Sequence, residues 1–260
     1  MTKYAAQIEY FGKSYCGWQR QKGLKTVQGE LEHAISTVAN HKVEIFCAGR
    51  TDAGVHASSQ VIHFESNSLR SIKNWYLGVN ANLSTNISLI WVIEVVPTFH
   101  ARFSALSRKY RYIIHQTDIS SCFLIDRVTN IKANLDIIAM TSAAEHLIGE
   151  QDFSSFRAAN CQSLTPMRNI MNVSIRRVNT FIIFEIEGNA FLYHMVRNIM
   201  GSLIEVGLGK KSIDWFNNLI ESKNRSLASP TAPSSGLYLV DVTYPIFFNL
   251  PRKPIGPCFI

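Results

Sequence analysis

The 260-residue sequence has little cysteine and lacks the residue spacings that bind structural metals. Its five cysteines are scattered, odd in number and without a Cys-x-x-Cys pair, and its eight histidines contain no His-x-x-x-His spacing. Dispersed cysteines of this kind are typical of reduced thiols rather than of a disulfide framework or a zinc site. We therefore expect no disulfide framework and no metal.

Long apolar runs and cofactor motifs are also missing. No apolar stretch approaches the roughly 20 residues that span a bilayer, and the first residues contain no signal-peptide core. The chain has neither a Walker loop nor a dinucleotide-binding glycine pattern, and no serine stands in a Gly-x-Ser-x-Gly setting. The sequence predicts a cytoplasmic globular protein with no nucleotide cofactor and no serine nucleophile.

What the sequence does contain is clustered positive charge. The 26 Lys and Arg residues exceed the 19 Asp and Glu residues, which gives a formal net charge of +7. Aromatic residues alternate with cations in segments 99–103 and 108–112, an arrangement that combines phosphate contact with base stacking. A solvated basic face without a nucleic-acid partner is the alternative, and composition alone does not separate the two. The clustered cations are Lys22, Lys25, Arg102, Arg108, Lys109, Arg111, Arg168, Arg176, Arg177, Lys210 and Lys211.

The most informative segment, which we call the acidic loop, is residues 49–56, Gly-Arg-Thr-Asp-Ala-Gly-Val-His. It places Asp52 between two glycines, which permit positive φ and the close approach of a substrate. In extended backbone Arg50 points to the same side as Asp52, and a guanidinium at that position favours the ionised carboxylate. The pattern indicates a nucleophile or an anionic anchor. A surface turn with a local Arg–Asp pair is the alternative.

The order of predicted elements is repeated along the chain. Each half reads β-α-β-β-α-β, which predicts an α+β fold of two ferredoxin-like or RRM-like units with mostly antiparallel sheets side by side and a cleft between them. The expected domains are residues 1–104 and 105–260, with the junction in residues 97–106. The predicted strands are 3–10, 42–47, 59–64, 87–96, 109–115, 169–178, 181–187 and 237–243, and the predicted helices are 26–40, 69–83, 133–148, 190–206 and 213–221.

The predicted helix 190–206 carries polar residues opposite an apolar stripe. Arg197 and Asn198 lie on that polar face, and the small Gly201 leaves room for close approach one turn later. Arg197 is therefore a candidate binding residue on a rigid element, the alternative being an ordinary solvated arginine. Residues 229–235 have a loosely specified composition and are predicted to be a surface loop.

Taken together, these motifs closely resemble the TruA family of tRNA pseudouridine synthases. The resemblance covers nearly the entire chain, and five blocks in matching order are far more specific than any single motif. One departure is Phe11, which stands where members of the family usually carry an aspartate. The matching blocks are residues 49–57, 99–104, 108–112, 189–198 and 236–239.

The resemblance implies a cofactor-free isomerase that detaches uracil from ribose and rejoins it through C5. By motif position Asp52 is the nucleophile, Tyr110 stacks on the target base, Arg197 pairs with Asp52, and Arg50 helps to hold the flipped RNA. The implied substrate is uridine at positions 38 to 40 of the tRNA anticodon stem-loop, bound by a homodimer without metal. Whether Asp52 attacks C6 of the base or C1′ of the ribose stays open.

Two other functions are compatible with parts of the pattern. A non-catalytic RNA-binding protein on the same fold would share the basic and aromatic segments but would not need Asp52. A glycoside hydrolase would need a second carboxylate close to Asp52, and no Asp or Glu stands out as that partner.

Overall fold

The computed structural model describes residues 1–252 and 256–260 and shows a mixed α/β protein whose strands are mostly antiparallel. In these ranges the chain forms ten β-strands and five α-helices. The strands are β1 (Thr2–Tyr10), β2 (Ile45–Cys47), β3 (His56–Ser66), β4 (Ile87–Glu94), β5 (Ser107–Gln116), β6 (Thr129–Ile131), β7 (Gly149–Asp152), β8 (Met167–Val178), β9 (Phe181–Gly188) and β10 (Leu237–Thr243). The helices are α1 (Val27–Ala39), α2 (Ile72–Asn82), α3 (Ile137–Glu145), α4 (Met195–Gly207) and α5 (Ile213–Ser222).

The chain divides into two compact units. The first unit comprises Met1–Arg108 together with Tyr238–Ile260, and the second comprises Lys109–Leu237. The predicted second domain, residues 105–260, differs from this division because it includes β10. That strand pairs in parallel with the start of β3, a pairing over a long sequence separation that no local pattern reports.

In the first unit β1 lies between β3 and β4 and is antiparallel to both. The two ends of β3 have different neighbours. Residues 62–64 pair with β2, whereas His56 and Ala57 pair with Tyr238 and Leu239 of β10. The C-terminal strand therefore fixes the start of β3, immediately after the acidic loop.

Helix α1 illustrates how local sequence forms an element of this unit. Thr26 has extended backbone, and its hydroxyl accepts a hydrogen bond from Gly29 N–H at 3.3 Å, as an N-cap does. Asn40 ends the helix in the left-handed conformation, with φ of 57°. Leu31 and Ile35 are fully buried on one face, and each such burial stabilises the fold by about 1.5–3 kcal/mol.

The second unit contains β5, β9, β8 and β7 in that order, and β6 pairs in parallel with β5. Helix α3 is capped by Asp136, which accepts a hydrogen bond from Ala139 N–H at 2.9 Å. Helix α5 is capped by Ser212, which accepts from Trp215 N–H at 3.0 Å. Helix α4 buries an apolar stripe that includes Ile199 and Leu203, as its sequence predicts.

The predicted elements are confirmed, with boundaries that differ by a few residues. The largest difference is at α4, which begins at Met195 and not at residue 190. His194 precedes it with φ of 60°, and this left-handed conformation cannot continue a helix. The short strands β6 and β7 were not predicted, since three or four residues carry too little periodicity.

Candidate active site

Asp52 lies in the acidic loop between β2 and β3, and its side chain is half-buried. The Asp52 carbonyl accepts a hydrogen bond from Val55 N–H at 3.1 Å, which closes a tight turn. Gly54 has φ of 77° in this turn, a conformation that costs a residue with a Cβ atom about 1–2 kcal/mol. The turn therefore requires glycine at position 54 and fixes the main chain beside the carboxylate.

Residues 10–18, near the N-terminus, form hydrogen bonds with the acidic loop. Trp18 N–H donates to the Thr51 carbonyl at 3.0 Å, and Gly54 N–H donates to the Tyr15 carbonyl at 3.4 Å. The buried hydroxyls of Tyr10 and Thr51 are 2.8 Å apart and share a hydrogen bond. Two of these three bonds join main chain to main chain, so the loop is held without depending on flexible side chains.

Two glycines allow that segment to approach the acidic loop. A Cβ atom on Gly12 would collide with the Val55 carbonyl oxygen. A Cβ atom on Gly17, where φ is 85°, would lie 3.0 Å from the Thr51 carbonyl oxygen and 3.2 Å from Ala53 N. The sequence pattern did not identify these glycines as part of the site. The available signal was two closely spaced glycines that match no nucleotide-binding motif.

The end of β2 that leads into the acidic loop is also fixed. The buried Gln60 side chain accepts from Gly49 N–H at 3.3 Å and donates to the Gly49 carbonyl at 2.5 Å. The Arg108 guanidinium donates two hydrogen bonds, of 3.2 and 2.9 Å, to the Ala48 carbonyl. Arg50 follows immediately and is exposed.

Several of the cations that the sequence assigns to a polyanion surface are instead structural. Arg108 and Arg168 are each only 8% exposed, and their guanidinium groups donate to backbone carbonyls. Arg111 forms an ion pair with Glu185. For these residues the interpretation as phosphate contacts was wrong, because charge clustering in the sequence does not distinguish a solvated guanidinium from a buried one.

In the second unit Tyr110 lies on β5, and its side chain is 7% exposed. Its ring packs against Phe191 with the edge-to-face geometry, at a centroid distance of 5.0 Å and an interplanar angle of 80°. Such a pair contributes about 0.5–1.5 kcal/mol beyond burial. Phe191 stands inside the 189–198 block and was not singled out from sequence, yet its ring packs directly against the Tyr110 ring.

Arg197 lies in the first turn of α4 and is half-buried. Its Nε–H donates to the Ala232 carbonyl at 2.9 Å, and Ala232 N–H donates to the Arg197 carbonyl at 3.1 Å. These two reciprocal bonds tie both the side chain and the main chain of Arg197 to one residue of the 229–235 loop. The Arg197 guanidinium is therefore hydrogen-bonded to a loop residue 35 positions further along the chain.

The prediction that the polar face of α4 is open was wrong. Asn198 is fully buried, and its amide donates to the Phe156 carbonyl at 2.8 Å and accepts from the Thr231 hydroxyl at 2.6 Å. A Cβ atom on Gly201 would collide with the Pro230 carbonyl oxygen. The room that Gly201 provides is therefore taken by the 229–235 loop of the chain itself, which lies at the surface but is firmly bound to the helix.

Phe11, the departure from the family pattern, packs next to the acidic loop. Its ring stacks on His56 at 4.9 Å with an interplanar angle of 19°, and His56 in turn stacks on Tyr238 at 4.6 Å and 27°. Gly12 N–H donates to His56 Nδ1 at 3.0 Å. Phe11 therefore contributes ring packing at the position where the resemblance expects a carboxylate.

The structure places the four predicted site residues as follows. Arg50 and Asp52 lie two residues apart on the acidic loop of the first unit. Tyr110 and Arg197 belong to the second unit, on β5 and α4. Within residues 1–252 and 256–260 no three His, Cys, Asp or Glu side chains are grouped as metal ligands. No helix in the described part of the chain has the length and apolarity to span a membrane.

A protein-family model and relatives of nearly the same length both match this chain. The family model described as tRNA pseudouridine synthase matches residues 6–104 and 143–245. The tRNA pseudouridine synthase A of Haemophilus influenzae (strain 86-028NP) is 53% identical over 258 residues, covering 99% of this chain and 96% of the relative. The enzyme of the same name from Mannheimia succiniciproducens is also 53% identical and covers 99% and 98%, respectively.

A much weaker similarity exists to a solved structure of the archaeal box H/ACA sRNP Nop10–Cbf5 complex. The identity is 10% and the TM-score 0.36, with 86% of this chain and 59% of that chain covered. This similarity is too weak to support any argument about the chain.

The family match and the full-length relatives confirm the resemblance seen in the motifs. The chain belongs to the tRNA pseudouridine synthase family and is an isomerase.

Proposed function

We propose that this synthase converts uridine to pseudouridine in the anticodon stem-loop of tRNA, at positions 38 to 40, with Asp52 as the nucleophile. The observation that carries the proposal is the half-buried Asp52 carboxylate in a loop held by main-chain hydrogen bonds. A nucleophile must be placed to within a fraction of an ångström of the reacting atom. The name of the relatives, tRNA pseudouridine synthase A, supports tRNA as the substrate.

The reaction balances without any second reactant. The bond between N1 and C1′ breaks, the uracil rotates, and a bond forms between C5 and C1′. The proton on C5 leaves, and N1 gains a proton. Asp52 attacks either C6 of the base or C1′ of the ribose, and both routes require an ionised carboxylate in a fixed position. No electron donor, metal or nucleotide takes part in this scheme.

Arg50, Tyr110 and Arg197 act on the same nucleotide in this proposal. A uridine must leave its stack to be reached, at a cost of a few kcal/mol. The Tyr110 ring, which packs against Phe191, offsets part of that cost by stacking on the uracil. Arg197 balances the Asp52 charge, and the exposed Arg50 contacts the displaced RNA strand.

We propose further that both units are of the ferredoxin-like type, that the enzyme acts as a homodimer without metal or cofactor, and that it resides in the cytoplasm. The order β1, α1, β2, β3, α2, β4 in the first unit supports the fold type. Five cysteines without a pairing pattern support a reducing compartment.

Release of tritium from C5-labelled uridine in a tRNA transcript tests the catalytic role directly. We expect Asp52→Asn to lower the rate of release by at least about a thousandfold, because the amide has the same shape as the carboxylate but is not a nucleophile. Affinity for tRNA should largely remain. The matched control is Asp118→Asn, which changes an exposed aspartate in the second unit and should leave the rate unchanged. Tritium release by Asp52→Asn at the normal rate would reject the proposal.

A further inference from the structure

A turn in the first unit presents an aromatic ring and a cation on a rigid backbone. We call residues 99–105 the tip turn. The His100 side chain accepts two hydrogen bonds at Nδ1, from Arg102 N–H at 3.1 Å and from Phe103 N–H at 3.2 Å. Ser104 N–H donates to the His100 carbonyl at 2.9 Å. The imidazole of His100 thus fixes the backbone from which Arg102 and Phe103 project.

The exposed rings of this region rest on two histidines. Phe46 of β2 stacks on His63 at 5.0 Å and 18°, His63 contacts His100 at 4.5 Å, and His100 contacts Phe103 at 4.4 Å. Phe46 remains 48% exposed and Phe103 75% exposed. The four connected rings therefore end in two solvent-accessible phenylalanines. Exposed apolar side chains that cluster in this way indicate an interaction surface.

The positive charge of this region comes from Arg102 and Lys3 and not from histidine. Burial lowers the pKa of His63 to about 4, and burial also lowers the pKa of His100. Both imidazoles are neutral at pH 7 and act as aromatic surfaces. The Arg102 guanidinium lies 5.4 Å from the centre of the Phe103 ring. An exposed aromatic ring with an adjacent guanidinium matches a nucleotide, which offers a base to stack and a phosphate to pair.

The tip turn is connected to the acidic loop by Arg108. The buried guanidinium of Arg108 donates to the Arg102 carbonyl at 2.5 Å and to the Ala48 carbonyl at 2.9 Å. Ala48 lies four residues before Asp52. Arg50 and Arg102 both lie close enough to Cys47 to act electrostatically on its thiol. The spacing between the tip turn and the acidic loop is therefore fixed by a buried residue.

We propose that Phe46, Arg102 and Phe103 form a second RNA-binding subsite, in which a nucleotide of the substrate strand other than the target uridine stacks on Phe103 while its phosphate pairs with Arg102. The subsite rests on the proposed function, because its ligand is the same tRNA. The net charge of +7 and the guanidinium at the tip favour a polyanion over an apolar protein partner. Phe46 continues the aromatic surface, since its ring contacts the His100 ring at a centroid distance of 5.7 Å.

The test measures tRNA binding in the Asp52→Asn background, where turnover does not interfere. We expect Phe103→Ala to weaken binding about tenfold, which lies within the lower half of the range for one base stacked on an aromatic ring. Phe103→Leu should bind tRNA as weakly as Phe103→Ala, since leucine keeps the apolar surface but not the ring. Phe103→Trp should bind tRNA with normal affinity. Arg102→Ala should lower the slope of log affinity against log salt by about 0.7.

Phe247→Ala is the matched control, since Phe247 is an exposed phenylalanine of the first unit with 73% exposure, and it should bind tRNA normally. With Asp52 intact, Phe103→Ala should raise the KM for tRNA and leave kcat unchanged. Normal affinity and normal KM for Phe103→Ala would overturn the subsite while tritium release by the unchanged enzyme still supports the proposed function. A change in subunit association without a change in RNA affinity would equally overturn it and assign the patch to a protein contact.

Discussion

The two units hold their candidate residues by different means. In the first unit, main-chain bonds from Tyr15 and Trp18 fix the acidic loop on which Asp52 stands. In the second unit, one side-chain bond and one main-chain bond to Ala232 fix Arg197 on a helix. A nucleophile tolerates little displacement, whereas a guanidinium that balances charge acts over a longer range. In the proposed roles, Asp52 has the stricter geometric requirement, and main-chain bonds hold the loop that carries it.

The units nevertheless share one device, which is a glycine covered by a backbone carbonyl. Gly12 is covered by the Val55 carbonyl beside the acidic loop, and Gly201 is covered by the Pro230 carbonyl beside Arg197. In both places an added Cβ atom would displace main chain that cannot rotate away. A glycine-to-alanine substitution at position 12 or at position 201 therefore disturbs the packing beside Asp52 or beside Arg197 in the same way.

The largest effects are expected from Gly12→Ala and Gly201→Ala. Each should lower the free energy of unfolding by about 2–4 kcal/mol, since overpacking against backbone forces a local shift. Gly12→Ala should also lower kcat by about a hundredfold, because a shift of about 1 Å is enough to misplace a reacting group. Gly201→Ala should lower kcat/KM by roughly tenfold, the equivalent of one charge-assisted hydrogen bond. Urea unfolding and tritium release measure both quantities.

Equal losses of turnover in Gly12→Ala and Gly201→Ala, after correction for the unfolded fraction, would contradict the difference drawn between the two supports. Retained stability in either variant would show that the carbonyl above the glycine moves freely.

A smaller effect is expected from Gly17→Ala, with Gly23→Ala as its matched control. Both glycines have positive φ, of 85° and 75°, but only Gly17 has neighbours within 4 Å of an added Cβ atom. Each substitution should cost about 1–2 kcal/mol for the left-handed backbone. Gly17→Ala should add about 1 kcal/mol from contact with the Thr51 carbonyl and reduce kcat about fivefold. Identical stability and turnover in the two variants would show that Gly17 does not support the acidic loop.

The smallest effects concern one tyrosine hydroxyl in each unit. Tyr10→Phe removes the bond to the Thr51 hydroxyl, and Tyr112→Phe removes bonds to the Thr129 hydroxyl at 2.6 Å and the Pro233 carbonyl at 2.9 Å. We expect losses of about 1 kcal/mol for Tyr10→Phe and about 1–2 kcal/mol for Tyr112→Phe, which breaks two bonds. Thermal unfolding measures the stability of both variants. A larger loss of stability in Tyr10→Phe than in Tyr112→Phe would contradict the prediction.

Much of the secondary structure could be predicted because its signals are local. The capping threonine at position 26 and the apolar spacing of Leu31 and Ile35 define α1 without reference to any other part of the chain. The start of α4 could not be predicted, because residues 190–194 have helical spacing but His194 adopts a left-handed conformation. The pairing of β10 with β3 joins residues far apart in the sequence, which no window of local pattern includes.

The sequence by itself determined the family, the order of elements and the identity of Asp52 as the residue of interest, because these depend on motifs and on periodicity. Only the tertiary structure decided which residues support that carboxylate and which arginines are buried. The sequence patterns did not assign Gly12, Gly17 and Trp18 to the support of the acidic loop, and charge clustering did not distinguish the buried Arg108 from a surface cation. Steric fit and burial are properties of segments brought together in space, so they exist only once the chain has folded.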